Sequence, residues 1–216
     1  MSNAFGRRRF VAAVASVAGL ATNRASAGQA GVSNKPVGAG QFDVQWLDQM
    51  KGKHKQLYDL GSQDLSRDAA VLRYARNFLD TFRDVYRLEF PSINTAVGIS
   101  GPAFAINASD QLWAKYKLGE RGKILDPSTK QPSTRNIFLE NGDIGIRALQ
   151  ARGAVFWQCN VALGIVAGQL ATEFHLAVED VRADLIAGLN PGVRLMPSHV
   201  MALALAQEHG FTYMKP

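Results

Sequence analysis

Short apolar runs alternate along the chain with segments in which apolar residues recur every three or four positions. Compact apolar runs bounded by Gly, Pro or Ser are typical of buried strands, whereas the three-to-four spacing marks one face of a helix. The pattern predicts strands over residues 55–60, 93–99, 154–157, 193–196 and 211–214. It predicts helices over residues 66–87, 109–118, 143–152, 161–171, 178–187 and 197–208.

The connections between the predicted strands are long enough for helical crossovers, which parallel pairing requires. We therefore predict an α/β fold, a three-layer sandwich around a mostly parallel sheet of about five strands, in which residues 42–216 form a single domain. The sequence shows no internal repeat and no second domain. Residues 119–142 contain Gly, Pro, Ser and Thr without periodicity, and we interpret them as a long irregular insertion that covers or forms a site.

Residues 1–27 have the features of a signal peptide. An Arg-Arg-Arg-Phe-Val sequence at residues 7–11 opens a weakly apolar stretch, and an Ala-Ser-Ala sequence suits cleavage after residue 27. The paired arginines, together with Arg24 near the cleavage site, are typical of twin-arginine signals. We expect export to the periplasm and a flexible linker over residues 28–41. The alternative is that residues 1–27 form a short amphipathic or anchoring helix. Because no apolar run reaches the roughly 18 residues of a membrane span, we expect no stable membrane anchor.

The net charge of +6 comes mostly from the predicted signal peptide. Four of the 24 Lys and Arg residues lie in residues 1–27, which contain no acidic residue, so residues 28–216 carry 20 basic against 18 acidic residues. A nearly neutral body attracts a polyanion only weakly, and we therefore expect no nucleic-acid partner.

The sequence contains no recognisable metal or cofactor motif. His54, His175 and His209 are scattered without the spacing of metal ligands, and the glycines around residues 98–101 match neither a dinucleotide nor a phosphate-binding loop. A single cysteine also excludes an internal disulfide. We therefore predict a protein without a metal or a cofactor.

Parallel strands would bring the residues that follow them to one edge of the sheet, where ligands bind in folds of this kind. These residues are Asp59, Gly61, Ser100, Gly101, Cys159, Asn160, Pro197, Ser198 and His199. Cys159 lies between a strand and a helix, where free N–H groups and the helix dipole stabilise a thiolate. An inert core cysteine is the alternative, because the apolar residues Phe156, Trp157 and Leu163 are close in sequence.

His199, at the start of the last predicted helix, is a candidate base or ion-pair partner for Cys159, as in nucleophilic catalysis by a Cys and His pair. The alternative is a solvent-facing or capping histidine. Ser100, Gly101, Asn160 and Ser198 are the candidate binding residues around this pair.

Three segments of the chain resemble the DsrE/DsrF-like family. Residues 149–162 read Leu-Gln-Ala-Arg-Gly-Ala-Val-Phe-Trp-Gln-Cys-Asn-Val-Ala, similar to the central segment in which a strand leads to a Cys that opens a helix. Residues 193–200 and 207–216 resemble the last strand, helix and aromatic strand of that family. The resemblance implies a three-layer α/β fold, assembly into homotrimers or homohexamers and, in the sulfur-relay members, a cysteine that carries sulfur as a persulfide. Cys159 is the position that matches this cysteine.

Two functional hypotheses follow. In the first, Cys159 accepts sulfur from a small sulfur species and passes it to a partner, while Ser100 and the N–H groups near Asn160 orient the sulfur and His199 acts as acid or base. In the second, the same edge and the insertion at residues 119–142 form a non-catalytic oligomeric module that binds a small ligand or a protein. The reactivity of Cys159 distinguishes the two hypotheses.

Overall fold

The computed structural model describes residue 42, residues 44–61, residue 65 and residues 72–216. All of these residues belong to one compact unit. The predicted signal peptide and linker, and the first part of the predicted helix at 66–87, lie outside the described residues. Within the described part, no helix is long and apolar enough to cross a membrane.

Five strands among the described residues form one sheet in which every neighbouring pair is parallel. They are β1 (His54–Asp59), β2 (Ile93–Ile99), β3 (Val155–Cys159), β4 (Arg194–Met196) and β5 (Thr212–Met214). Their order across the sheet is β4-β3-β2-β1-β5. The predicted α/β fold around a parallel sheet is thereby confirmed. All seven residues of β2 are buried, as expected for a central strand covered on both faces.

The described helices cover both faces of this sheet. They are α1 (Trp46–Gln49), α2 (Arg73–Tyr86), α3 (Phe104–Asn107), α4 (Asp110–Lys115), α5 (Leu118–Arg121), α6 (Ile146–Ala151), α7 (Asn160–Phe174), α8 (Val178–Ala187) and α9 (His199–Glu208). The single helix predicted over 109–118 is interrupted after α4, because Lys117 has a left-handed backbone with φ of 48°. The helix predicted over 161–171 begins one residue earlier and continues to Phe174.

Two hydrophobic cores, one on each face of the sheet, define the three layers. The larger core joins β2 and β3 to α2 and to the helices from α3 to α8, with Val97 and Phe156 among its members. The smaller core joins the opposite face to α1 and α9 and contains Trp46, Trp157 and Phe211. The connections from β1 to β4 therefore run on one face, and α9 crosses the other face to reach β5 at the far edge. Right-handed crossovers require this change of face when the direction along the sheet reverses.

The insertion over 119–142 has irregular structure beyond the end of α5, with one isolated bridge between Leu125 and Pro132. The buried amide of Asn136 holds it to the body of the protein, since its nitrogen donates to the carbonyl oxygens of Ile106 and Ala108 at 2.8 and 2.6 Å. The later part of this insertion is thereby fixed against the end of α3, and residues at its start line the cavity described below.

Candidate functional site

Cys159 is both the last residue of β3 and the N-cap of α7. Its Sγ accepts a hydrogen bond from the main-chain N–H of Ala162 at 3.3 Å, in the first turn of α7. It accepts a second one from the main-chain N–H of His199 at 3.2 Å, at the start of α9. The sulfur therefore lies at the N-termini of two helices, where unpaired N–H groups and both helix dipoles favour negative charge.

This position is a consequence of the topology. Strand β3 continues into α7 on one face of the sheet, and its neighbour β4 continues into α9 on the opposite face. Adjacent strands whose connections leave on opposite faces create a crevice at the carboxyl edge, which is the usual ligand site of open α/β sheets. Cys159 lies at this switch point. Its side chain is nevertheless buried, with 3% of the residue exposed.

The imidazole of His199 is held on both sides by other groups. Its Nε2 lies 2.8 Å from Oδ1 of Asp59, and its Nδ1 lies 3.2 Å from the indole nitrogen of Trp157. Because an indole N–H can only donate, Nδ1 accepts, and the ring proton is on Nε2, donating to Asp59. We call this arrangement the Asp59–His199–Trp157 chain. The sequence predicted that the His199 side chain pairs with Cys159. In the structure the main-chain N–H of His199 contacts the sulfur, and its ring contacts Asp59 and Trp157 instead.

Asp59, at the end of β1, has three hydrogen-bond donors around its carboxylate. Besides His199, these are the main-chain N–H of Gly61 and the hydroxyl of Tyr213, each at 2.8 Å. Burial acts to raise the pKa of Asp59, but the N–H of Gly61 and the bonds from His199 and Tyr213 outweigh it and lower the pKa below its usual value. The bond to the same carboxylate raises the pKa of Tyr213.

Gly98 makes room for these rings on the sheet. A Cβ atom at this position would lie 2.5 Å from Cζ2 of Trp157 and 2.9 Å from Cε1 of His199. The indole of Trp157 also packs against Trp46, with ring centroids 6.1 Å apart. The parallel strands predicted from the sequence place Asp59 at this edge, but the sequence assigns no function to Gly98, Trp157 or Tyr213. A glycine inside an otherwise continuous apolar strand was the available signal, because it marks a close approach.

The predicted binding residues Asn160 and Ser198 lie at the same edge, and their side chains make structural hydrogen bonds. The amide oxygen of Asn160 accepts from Arg182 of α8 at 2.6 Å. The hydroxyl of Ser198 caps α9 by accepting from the main-chain N–H of Met201 at 3.2 Å. Both side chains are therefore engaged in other hydrogen bonds. At these two positions, the main chain at the helix start is the better candidate for binding a ligand.

Ser100 and Gly101 follow β2 at this edge. Ser100 has extended backbone, and its carbonyl oxygen accepts from Ala103 in a short 3₁₀ turn. Gly101 has φ of 49°, which favours glycine, and it lines a cavity of about 580 Å³ between this turn, α5 and α7. Ala162, which donates to the sulfur of Cys159, also lines this cavity. Among the described residues, no group of three His, Cys, Asp or Glu could hold a metal ion.

No protein-family model matches the chain, and no curated protein matches it. Among solved structures, the chain is similar to a protein of unknown function, MTH1491 from Methanobacterium thermoautotrophicum. The TM-score is 0.41 at 15% sequence identity, and the match covers 76% of this chain and 99% of that chain. A likeness at this level carries no conclusion about the site or the function.

The Gly98→Ala variant should be destabilised by at least about 2 kcal/mol, because the added methyl group overlaps the rings of Trp157 and His199. Denaturant unfolding of the two proteins measures the difference. Gly168→Ala in α7 is the matched control, since a Cβ there meets nothing within 4 Å and the change should instead stabilise the helix by about 0.5–1 kcal/mol. Equal effects at the two positions would contradict the packing described for Gly98.

The ionised Asp59 should contribute stability that is lost in acid. Its pKa is lower in the folded than in the unfolded chain, so the contribution is complete above about pH 4 and declines as the pH falls through the folded pKa. We expect the difference in unfolding free energy between the wild type and Asp59→Asn to be largest near neutral pH and to shrink below about pH 4. The exposed control Asp180→Asn should show a smaller difference at every pH. A difference at Asp59 that grows in acid would reverse the assignment.

Proposed function

We propose that the chain is an exported, DsrE-like sulfur carrier in which Cys159 accepts a sulfur atom as a persulfide and passes it to an acceptor protein. The observation that carries the proposal is the position of the Cys159 sulfur, which receives main-chain hydrogen bonds from the first turns of α7 and α9. Such donors stabilise an anionic sulfur, and both the thiolate and the persulfide are anionic sulfur species. The activity is that of a sulfurtransferase-like relay without a metal or cofactor.

The transfer needs no external oxidant or reductant. The Cys159 thiolate attacks the terminal sulfur of a thiosulfonate, R–SO₂–S⁻; the Sγ–S bond forms, the donor S–S bond breaks, and the sulfinate R–SO₂⁻ leaves with the electron pair. An acceptor thiolate then attacks the outer sulfur of the persulfide. The new S–S bond forms on the acceptor, and Cys159 leaves as a thiolate, ready for another cycle.

The neighbouring residues position the sulfur. The Asp59–His199–Trp157 chain fixes the start of α9 and hence the N–H that His199 directs at Sγ. His199 is thus a positioning residue, and the proton balance of the reaction does not need its ring. Ser100, Gly101, the main chain of Asn160 and the capped helix start at Ser198 surround the edge at which the outer sulfur would lie.

The burial of Cys159 sets a condition on the mechanism. Only 3% of the residue is exposed, so a donor reaches Sγ only after a local opening of the structure around it. A second candidate function is supported by the cavity of about 580 Å³, whose size suits a small-molecule site. In that case the chain is a non-catalytic oligomeric binding module, and Cys159 is a structural N-cap.

Incubation of the purified chain with a thiosulfonate should add one sulfur atom, about 32 Da by mass spectrometry, and the addition should be reversed by a thiol. The Cys159→Ser variant should fold and show no addition, because serine is a preferred N-cap and can keep the bond from Ala162. Iodoacetamide should also alkylate the native wild type near neutral pH. If alkylation requires denaturant and no sulfur is added, the relay fails and the binding module takes its place.

A homotrimer or homohexamer belongs to the same proposal. Apolar side chains are exposed on the first turns of the two helices that meet at Cys159, with Val161 58% and Val200 74% exposed. An assembly around this edge would bury these side chains, and burial of apolar surface favours association.

We expect light scattering of the purified chain to give a homotrimer or homohexamer, and Val200→Asp to shift it towards the monomer because a charge enters the apolar contact. Val85→Asp is the control, since Val85 is similarly exposed but lies on α2. A wild type that is monomeric at micromolar concentration would exclude the oligomer.

A further inference from the structure

We propose that the cavity between α3, α5 and α7 binds a small amphipathic carboxylate, with an aliphatic chain against its apolar walls and the acid group beside Lys123. Binding here does not require the sulfur chemistry proposed for Cys159, although Gly101 at the same sheet edge and Ala162 beside that sulfur also line the cavity. Its volume of about 580 Å³ lies within the roughly 300–1,000 Å³ of small-molecule sites. The walls are largely apolar side chains, including Phe104, Leu118, Ile124, Ile165 and Val166.

The apolar walls indicate an aliphatic ligand rather than a polar one. Ile165, on the outer side of the cavity, is 60% exposed, which leaves a branched apolar side chain in water when the cavity is empty. Covering this surface with a hydrocarbon chain is favourable, because it removes apolar area from water. A strongly hydrated ligand such as a sugar would gain no such contact and would lose hydrogen bonds to water.

The lining of the cavity also carries positive charge. Arg121, the last residue of α5, and Lys123, in the turn that follows, both line the cavity. Arg121 is paired with Glu173, so its charge is balanced. The side chain of Lys123 has no ion pair or hydrogen bond among the described residues, and none of the described lining residues is acidic. One uncompensated cation in the lining of a largely apolar cavity complements a monoanion.

The turn that carries Lys123 is well defined. Lys123 has a left-handed backbone with φ of 51°, and its main-chain N–H donates to Glu120 at 3.2 Å. The next residue, Ile124, donates to Gly119 at 2.8 Å and places its buried side chain in the cavity wall. The turn thus presents a cation and an apolar side chain to the same cavity, and the exposed amide of Gln169 on α7 adds a further polar group to the lining.

Calorimetry of the full chain with decanoate, decanol and decylamine tests the proposal. The three probes share the same alkyl chain and differ only in head-group charge. Decanoate should bind most tightly, because its carboxylate is attracted to Lys123, and decylamine most weakly, because its ammonium group is repelled. Lys123→Met keeps an apolar stem and removes the charge. It should therefore lower the affinity for decanoate by about tenfold and leave the affinity for decanol unchanged.

Lys117→Met is the matched control. Lys117 is also an exposed lysine with a left-handed backbone, φ of 48°, but it does not line the cavity, so decanoate should bind this variant as it binds the wild type. Ile165→Glu places a carboxylate in the exposed wall and should abolish binding of both decanoate and decanol.

Three results would overturn the proposal: no binding of decanoate, equal binding of decanoate and decylamine, or the same affinity in Lys123→Met as in Lys117→Met. The outcome is separable from that of the sulfur relay, because Cys159→Ser should bind decanoate with unchanged affinity while it loses sulfur addition.

Discussion

The hydrogen-bond chain from Asp59 through His199 to Trp157 ties helix α9 to the sheet. It spans three adjacent strands, because Asp59 ends β1, Trp157 belongs to β3, and the rings cross β2 at Gly98. The side chains of Asp59 and His199 are each only 12% exposed, so these bonds form in a medium of low dielectric constant, where an unpaired partner would be costly. These hydrogen bonds therefore fix the position of α9 on the sheet, and α9 in turn covers the smaller core.

The environment of Cys159 is a second consequence of the same chain. His199 bonds to Asp59 and Trp157 with its ring and to the Cys159 sulfur with its main chain. A histidine whose ring nitrogens are fixed by a carboxylate acceptor and an indole donor is held in one tautomer, which suits it to positioning rather than to proton transfer. The environment of the sulfur therefore depends on the main chain around it, and His199 joins that main chain to Asp59 and Trp157.

Sequence patterns predicted the elements whose signals are local. The strand at Ile93–Ile99 was predicted with its observed bounds, because it is a continuous apolar run between Pro91 and Ser100. The helix at Val178–Ala187 was predicted equally well. The break after α4 was not, because a lysine at 117 gives no sign of its left-handed backbone. Local signals fail where a single residue departs from the conformation that its type favours.

The positions of the candidate site residues at one sheet edge followed from the sequence, whereas their contacts did not. Cys159 at a strand-to-helix junction follows from the order of elements, and so does the edge it shares with Ser198 and His199. The bond between Asp59 and His199 joins residues 140 positions apart, and nothing in the sequence near either one specifies it. The cavity is likewise built from four segments that the fold brings together, with residues at 65, 101–105, 118–124 and 162–169.

The order of the strands explains why the sulfur lies between two helix ends rather than at one. If α9 followed β4 on the same face as α7 follows β3, both helices would stack side by side and only α7 would begin at Cys159. Because the chain reverses direction after β4, α9 leaves to the opposite face and its first N–H comes to Sγ from the other side. Gly98 is what lets this helix approach, since a larger residue would displace the rings of His199 and Trp157. The reversal of strand order after β4 and the glycine at position 98 of β2 together place a buried sulfur where main-chain donors from both faces of the sheet converge.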